Sequence, residues 1–367
     1  MLRFTTAGES HGAAVIATLE GLPAGFKPDV EAINDALRRR QGGYGRGARM
    51  RIESDTVTFL AGLRGGVTLG SPIVMQILNK DAKLERLGEV TKARPAHADL
   101  AGALKYGTAD ARNVLERASA RETAARTMVG ALCADFLSRF GVSFTGYVRQ
   151  LGTVNANGLD PLRPFAKEDR GAIIARRNDS DFYTVDNAHD DDMRQAVDRA
   201  RQNGDTLGGV VEVLATGVPP GLGNCTQWDR KLDAKIAQAL LSVQAVKAVE
   251  IGAGRDAADQ QGSALHDTIS RCASGPTAYW EFGKTIGITR GSNNAGGIEG
   301  GMSNGAPLVV RVTKKPISTL MRPLPTIDLV TGEEADAAVE RSDVCALPAA
   351  SVVLENAMAV PVAEAFL

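Results

Sequence analysis

The apolar positions of this chain repeat at two periods, and the changes between them outline its elements. Ala14–Leu19 reads as a strand. Val30, Ile33 and Leu37 then fall on one helical face, opened by Pro28-Asp29 and stopped by Gly42-Gly43. Thr56–Leu63 and Ser71–Leu78 read as strands on either side of a Gly-rich turn. Ser119-Ala120-Arg121-Glu122 has capping-box spacing, and Met128, Leu132 and Phe136 continue a helix from it to Gly141. Beyond this, Val142–Leu151, Gly208–Thr216 and Leu308–Thr313 read as strands. His189–Gln202 reads as a polar helix and Asp229–Val246 as an amphipathic one, while Pro348–Phe366 is apolar and partly helical, interrupted by Pro361. Strands and helices intermix and no stretch has a linker's composition. The expectation is one domain, residues 1–367, of α+β class.

Composition narrows the picture. At 367 residues the chain can bury roughly three quarters of its unfolded surface. With 44% hydrophobic and 23% charged residues it has the composition of a globular protein. Lys+Arg 42 against Asp+Glu 43 leaves a net charge of -1, which argues against a general nucleic-acid or membrane-surface binder. Cys133, Cys225, Cys272 and Cys345 are scattered, which fits neither a zinc site nor a disulfide framework and points to a reducing cytoplasm. The N-terminus lacks a signal peptide's apolar core, and no run of about 18 apolar residues is evident, so the protein is expected to be soluble and cytoplasmic.

The basic charge is local. Leu37 to Arg51 holds six arginines and no acid, interleaved with Gly42, Gly43, Gly45 and Gly47. A solvated helix end would account for the arginines alone. The glycines tip the reading towards ligand binding, because they let backbone N–H groups and guanidinium forks converge on one oxyanion. Two of only four histidines flank this segment: His11 in Gly8-Glu-Ser-His-Gly12, and His97 in Arg94-Pro-Ala-His-Ala-Asp99. Imidazole exchanges protons near neutrality. The combination suggests acid–base chemistry on a phosphorylated or carboxylated small molecule. His189 and His266 read as surface or structural. Gly283-Lys284-Thr285 fails as a P-loop because Ala278 occupies the position of its first glycine, and Gly296–Gly301 lacks the order of a dinucleotide fingerprint. No HExxH or EF-hand spacing occurs, so no protein-held metal is expected.

Eight segments together resemble the chorismate synthase family, in family order from Gly8 to Pro348. They are Gly8–Gly12, Gly43–Met50, Arg94–Asp99, Arg117–Ala124, Gln244–Gly252, Asn294–Gly305, Lys315–Thr319 and Arg341–Cys345. The chain departs from the usual pattern in having Ala96 for Gly and Ala118 for the common Ser, and in lacking the arginine that usually follows the proline of the tail segment starting at Pro348. The resemblance implies a single-domain β-α-β sandwich with duplicated helix-and-sheet halves, and a homotetramer. It also implies an anti-1,4-elimination of phosphate from 5-enolpyruvylshikimate 3-phosphate to give chorismate, with reduced FMN required.

Carried over by position, His11 protonates the leaving phosphate, His97 protonates the reduced flavin, and Asp343 accepts a proton from it. Ser10, Arg40, Arg46, Arg49, Ser119, Arg121 and Arg341 match substrate-contacting positions. Arg117, Ala118, Ser119, Gln244, Ala245, Gly300, Lys315, Pro316, Ile317, Ser318, Thr319 and Arg341 match flavin contacts. Arg40 and Arg46 also match positions assigned to NADPH in members that reduce their own flavin. The absence of a recognisable reductase module favours a separate flavin reductase. The alternatives are a non-flavin phosphate lyase and an Arg/Gly-loop nucleic-acid-binding protein, the latter disfavoured by 5% aromatics.

Overall fold

Short alternating runs build two antiparallel sheets in the computed structural model, which describes residues 2–47, 53–271, 287–340 and 342–367. Arg49, Arg341 and Gly283-Lys284-Thr285 lie outside the described residues. The first sheet holds β1 (Arg3–Ala7), β2 (Ala14–Glu20), β3 (Thr58–Ala61) and β4 (Ile73–Leu78), in the order β1-β2-β4-β3. Val15, Ala17 and Leu19 of β2 are buried with Ile73, Met75 and Ile77 of β4, so every second residue faces the core. The second sheet holds β5 (Ser143–Leu151), β6 (Val154–Asn155), β7 (Gly209–Thr216), β8 (Val246–Ile251) and β9 (Leu308–Lys314), in the order β8-β9-β7-β5-β6.

The main helices are α1 (Val30–Gln41), α2 (Asp99–Tyr106), α3 (Arg112–Ala118), α4 (Thr123–Ser138), α5 (Arg170–Asp179), α6 (Asp190–Gln202), α7 (Leu232–Leu241) and α8 (Leu347–Phe366). Two of them are apolar nearly all round, which demands burial on every side. One is α4, which rests on β1, β2 and β4 and also packs on α8. The other is α8, which rests on β5 and β7. One apolar cluster runs through both sheets and these helices. Glycine sets how closely the layers approach: a Cβ on Gly130 of α4 would stand 2.1 Å from the Asn356 carbonyl oxygen of α8. A Cβ on Gly146 of β5 would stand 2.4 Å from that of Ser351.

A carboxylate of α8 is embedded among these layers. The Glu355 carboxylate of α8 accepts from Arg39 Nη2 of α1 (2.5 Å), Arg177 Nη1 of α5 (3.0 Å) and the Gly146 amide of β5 (2.7 Å). Burial favours its neutral form, but the two guanidiniums outweigh that and hold its pKa below the usual carboxylate value.

Several boundaries differ from the sequence reading. Asp229–Val246 is helical only over α7. Ala245 takes a left-handed φ of 67°, and Val246 already belongs to β8. Thr56–Leu63 shortens to β3, bulged between Phe59 and Ala61, and Leu63–Arg64 instead pairs with Val67–Thr68. Pro361 does not interrupt α8, whose burial outweighs the roughly 3 kcal/mol cost of proline in a helix. The 20-residue α8 is also long and apolar enough to cross a membrane by length and composition, contrary to the expectation that no such run exists; most of it is buried in the core. Ser119 caps a short 3-10 turn through the Arg121 amide, and Glu122 bonds elsewhere and does not close the capping box.

Candidate functional site

The loop joining β1 to β2 carries Ser10 and His11, and two distant segments, at residues 79–81 and on α3, hold it in place. The His11 amide donates to Glu116 Oε2 at 2.8 Å, and its ring Nδ1 lies 3.0 Å from both carboxylate oxygens. Its Nε2 lies 3.7 Å from Asp81 Oδ2. Glu116 is buried on α3, which by itself favours the neutral acid; the His11 ring and amide, with Arg112, hold its pKa below the usual value. Such a carboxylate fixes the orientation of the imidazole. Asn79 Nδ2 donates to the carbonyls of Glu9, Ser10 and Gly12, fixing the loop from beneath.

The same asparagine accepts from Arg121 Nε at 2.7 Å, which links the histidine loop to the arginines. Arg121 Nη1 lies 2.8 and 2.9 Å from the two oxygens of Asp55, and Arg40 Nη2 lies 2.8 Å from Asp55 Oδ2. Two buried guanidiniums thus share one buried carboxylate. Burial would raise the Asp55 pKa, but Arg40 and Arg121 outweigh it and hold it down. For Arg40 burial wins, and its pKa is lowered. Arg40 Nε and Arg121 Nη2 are buried and make no hydrogen bond among the described residues. Buried N–H groups of this kind call for an acceptor. Ser119 Oγ donates to Ser10 Oγ at 3.2 Å beside them.

His97 has its own carboxylate. Its Nδ1 lies 2.5 Å from Asp99 Oδ1 and 3.0 Å from Arg94 Nη2. Arg94 also grips Asp99 through Nε (2.8 Å) and Nη2 (3.0 Å), and its Nη1 donates to Thr319 Oγ1 at 2.8 Å. Burial alone would raise the Asp99 pKa; hydrogen bonds from His97 and Arg94 push it far below the usual range. Ala96, just before, takes a left-handed φ of 62°.

Residues 315–319 close against this loop. Lys315 Nζ donates to Ser318 Oγ (2.6 Å), with the Pro316 carbonyl 3.5 Å away, and Ser318 Oγ donates to the Ala96 carbonyl (2.9 Å). The Ile317 carbonyl accepts from Thr206 Oγ1. The Lys315 amide bonds the Ala245 carbonyl, and Gln244 Nε2 donates to Glu122 Oε2, next to Arg121. Gln244 Oε1 is buried with no hydrogen bond among the described residues. Asp343 is held by the arginine loop: its Oδ1 accepts from the Gly47 amide (2.6 Å) and its Oδ2 pairs with Arg46 Nη1 (2.8 Å).

These bonds join residues expected from the sequence into one region: Ser10, His11, Arg40, Ser119 and Arg121 around Asp55, then Gln244, Ala245 and Lys315 to Thr319 around His97. Arg117 is tied to the Thr6 and Gly8 carbonyls, and Ala118 is half-buried one position before Ser119. Gly300 stands apart. It is exposed in the turn between Ile298–Glu299 and Met302–Ser303, with no neighbour within 4 Å of where a Cβ would be. His189 caps α6, and His266 lines a separate cavity of about 340 Å³ with Asp267 and Asn294. The sequence reading did not single out Asp55, Asn79, Asp99 or Glu116. For Asp99 a signal existed, a carboxylate two positions after His97.

The family model described as Chorismate synthase matches residues 2–367. The chain is 49% identical to the chorismate synthase of Geotalea daltonii over 380 residues, covering 100% of this chain and 94% of that protein. It is 48% identical to that of Aquifex aeolicus over 379 residues, covering 100% and 92%. A solved crystal structure of chorismate synthase superposes with a TM-score of 0.78 at 41% identity, covering 100% of this chain and 91% of the other.

Proposed function

The chain belongs to the chorismate synthase family, and from that premise we propose how its residues divide the work. The enzyme is a lyase of the shikimate pathway to aromatic amino acids: 5-enolpyruvylshikimate 3-phosphate loses phosphate to give chorismate. This assignment replaces the non-flavin lyase and nucleic-acid-binding alternatives.

The residues suit a bound flavin. Gln244 Oε1 is a buried acceptor lacking a donor among the described residues, Lys315 supplies positive charge, and Ala118, Ser119 and Ala245 are small enough for close approach. Arg117 to Ser119, Gln244, Ala245, Lys315 to Thr319 and Arg341 would hold it, as reduced FMN, while Gly300, which stands apart, is left out of that set. A reduced flavin held by these residues would supply transient electron donation to the substrate, with no net redox change.

The protein manages charge and protons. Arg40 and Arg121, aligned by Asp55, bind an anionic group of the substrate through N–H groups that make no hydrogen bond among the described residues, Arg121 Nη2 lying 3.8 Å from Glu53 Oε2. Arg46, Arg49, Arg341, Ser10 and Ser119 complete that set. His11, backed by Glu116, gives its proton to the leaving phosphate. His97 holds a proton beside the flavin, its ring fixed by Asp99 and Arg94. Asp343 accepts a proton, its two oxygens aimed by the Gly47 amide and Arg46. The observation that carries this reading is the convergence of Ser10, His11, Ser119 and Arg121 at the Asn79 and Asp55 contacts.

At the whole-molecule level we propose a single domain over residues 1–367, built as a β-α-β sandwich of duplicated halves. We further propose a homotetramer working in the cytoplasm with a separate flavin reductase. The test is an anaerobic assay of chorismate formation with chemically reduced FMN, with and without NADPH. His11→Ala and His97→Ala should each lose about 10²–10⁴-fold in activity, while His189→Ala and His266→Ala should stay near the parent. Equal losses at all four histidines would defeat the role assignment. Turnover with NADPH and oxidised FMN alone would show that no separate reductase is needed.

A further inference from the structure

In β9 the residues Leu308, Val310 and Val312 share one face and are fully buried, and Lys314 ends that row with only 8% of its surface exposed. A charged side chain in such a row signals function unless it is paired. Its register partners are Gly209 on β7 and Val246 on β8, neither of which offers a counter-charge. Among the described residues the Lys314 ammonium makes no hydrogen bond and no ion pair. The groups that act on it are Arg46, Asp343, Cys345 and Lys315. Asp343 already binds Arg46 and the Gly47 amide through its two oxygens. Residues 48–52 and 341, adjacent in sequence to Gly47 and Ser342, include no acid. Arg46 and Lys314 therefore share one carboxylate, Asp343, whose two oxygens are already engaged by Arg46 and the Gly47 amide.

We infer that Lys314 is a further anion-binding residue, its ammonium receiving a carboxylate or phosphate oxygen of the substrate beside Arg46. The inference rests on the substrate reading above. Burial and the Arg46 charge push the free amine's pKa down to about 8, so at pH 8.5 much of it is neutral. An arriving anion restores the proton, and binding takes one up from solution. The Cys345 thiol, pushed up to about 11 by burial, does not exchange protons at that pH. Lys315, lowered by burial and by Lys247, is the other amine to consider, and substitution separates the two.

Calorimetric titration of the full-length protein without added flavin, at pH 8.5 in two buffers of different ionisation enthalpy, tests this. The probes are 5-enolpyruvylshikimate 3-phosphate and inorganic phosphate. Lys314→Met should bind the substrate about 10- to 100-fold more weakly and lose the proton uptake, while Lys314→Arg recovers affinity. Weaker binding of both probes assigns the phosphate to Lys314; weaker binding of the substrate alone assigns a carboxylate. Parental affinity and proton uptake in Lys314→Met, with Arg46→Ala clearly weakened, would overturn the inference and leave the substrate reading standing. If Arg46→Ala also bound as tightly as the parent, the anion site itself would fall. Removing an unpaired buried cation should leave the melting temperature unchanged or higher, and Lys314→Arg keeps the test open should the methionine variant not fold.

Discussion

Glu116→Gln separates two jobs of one carboxylate. The amide oxygen can still accept from the His11 backbone N–H, but the carboxylate charge facing the ring is gone. Turnover should fall by about 10²-fold, the low end for a lost general acid, with the substrate Kd nearly unchanged. Steady-state kinetics beside equilibrium binding checks this, and equal losses in both would mark Glu116 as a folding residue. At this scale the sequence was half legible. His11 and His97 stood out because histidine is scarce and both lie among small residues. Glu116 and Asp55 did not, because what makes them matter is proximity across 105 positions to His11 and 66 to Arg121. The backbone at 96 accounts for the glycine usual in the family, and nothing in the structure explains the alanine. A left-handed φ there is where glycine is free and alanine pays about 1 kcal/mol.

Between elements, the contact of α4 with α8 is set by a glycine. Gly130→Ala improves helix propensity by about 1 kcal/mol, yet its methyl group would collide with the Asn356 carbonyl oxygen. The collision should win by roughly 1–3 kcal/mol and lower the melting temperature by a few degrees. Gly88→Ala, where a Cβ meets nothing within 4 Å, is the control and should melt with the parent. Elements with clean periodicity, such as β2, α1 and β9, were readable from the chain. The short β1, α2, α3 and α5 were not, because their burial is too partial to leave a periodic trace. The all-round apolar character of α8 hid its continuity through Pro361, since a helix buried on every side loses the amphipathic signature.

For the whole molecule, acid is the vulnerable direction. Asp55, Asp99, Glu116, Glu122 and Glu355 all have folded pKa values below their unfolded ones. The unfolded chain therefore takes up protons first, so their stabilisation is complete above about pH 5 and fades as pH falls through the folded values. Urea melts from pH 7 to 3 should show a plateau and then a steep decline. Glu355→Gln should start lower by about 3–5 kcal/mol, with Arg39 and Arg177 left uncompensated, and decline less steeply by up to about 1.4 kcal/mol per pH unit. An unchanged slope would mean that Glu355 does not titrate across the transition. The contact between the Gly47 amide and Asp343 spans 296 positions, and it has a consequence in time. At ribosomal speeds, roughly 15–60 s separate the synthesis of its two ends. Through that interval the nascent arginine loop lacks the aspartate that will align it, and the core lacks α8, its most apolar helix. Anion capture is thus the last competence the polypeptide acquires during synthesis. Substrate binding by stalled ribosomal chains of increasing length should switch on only after residue 343 has cleared the exit tunnel.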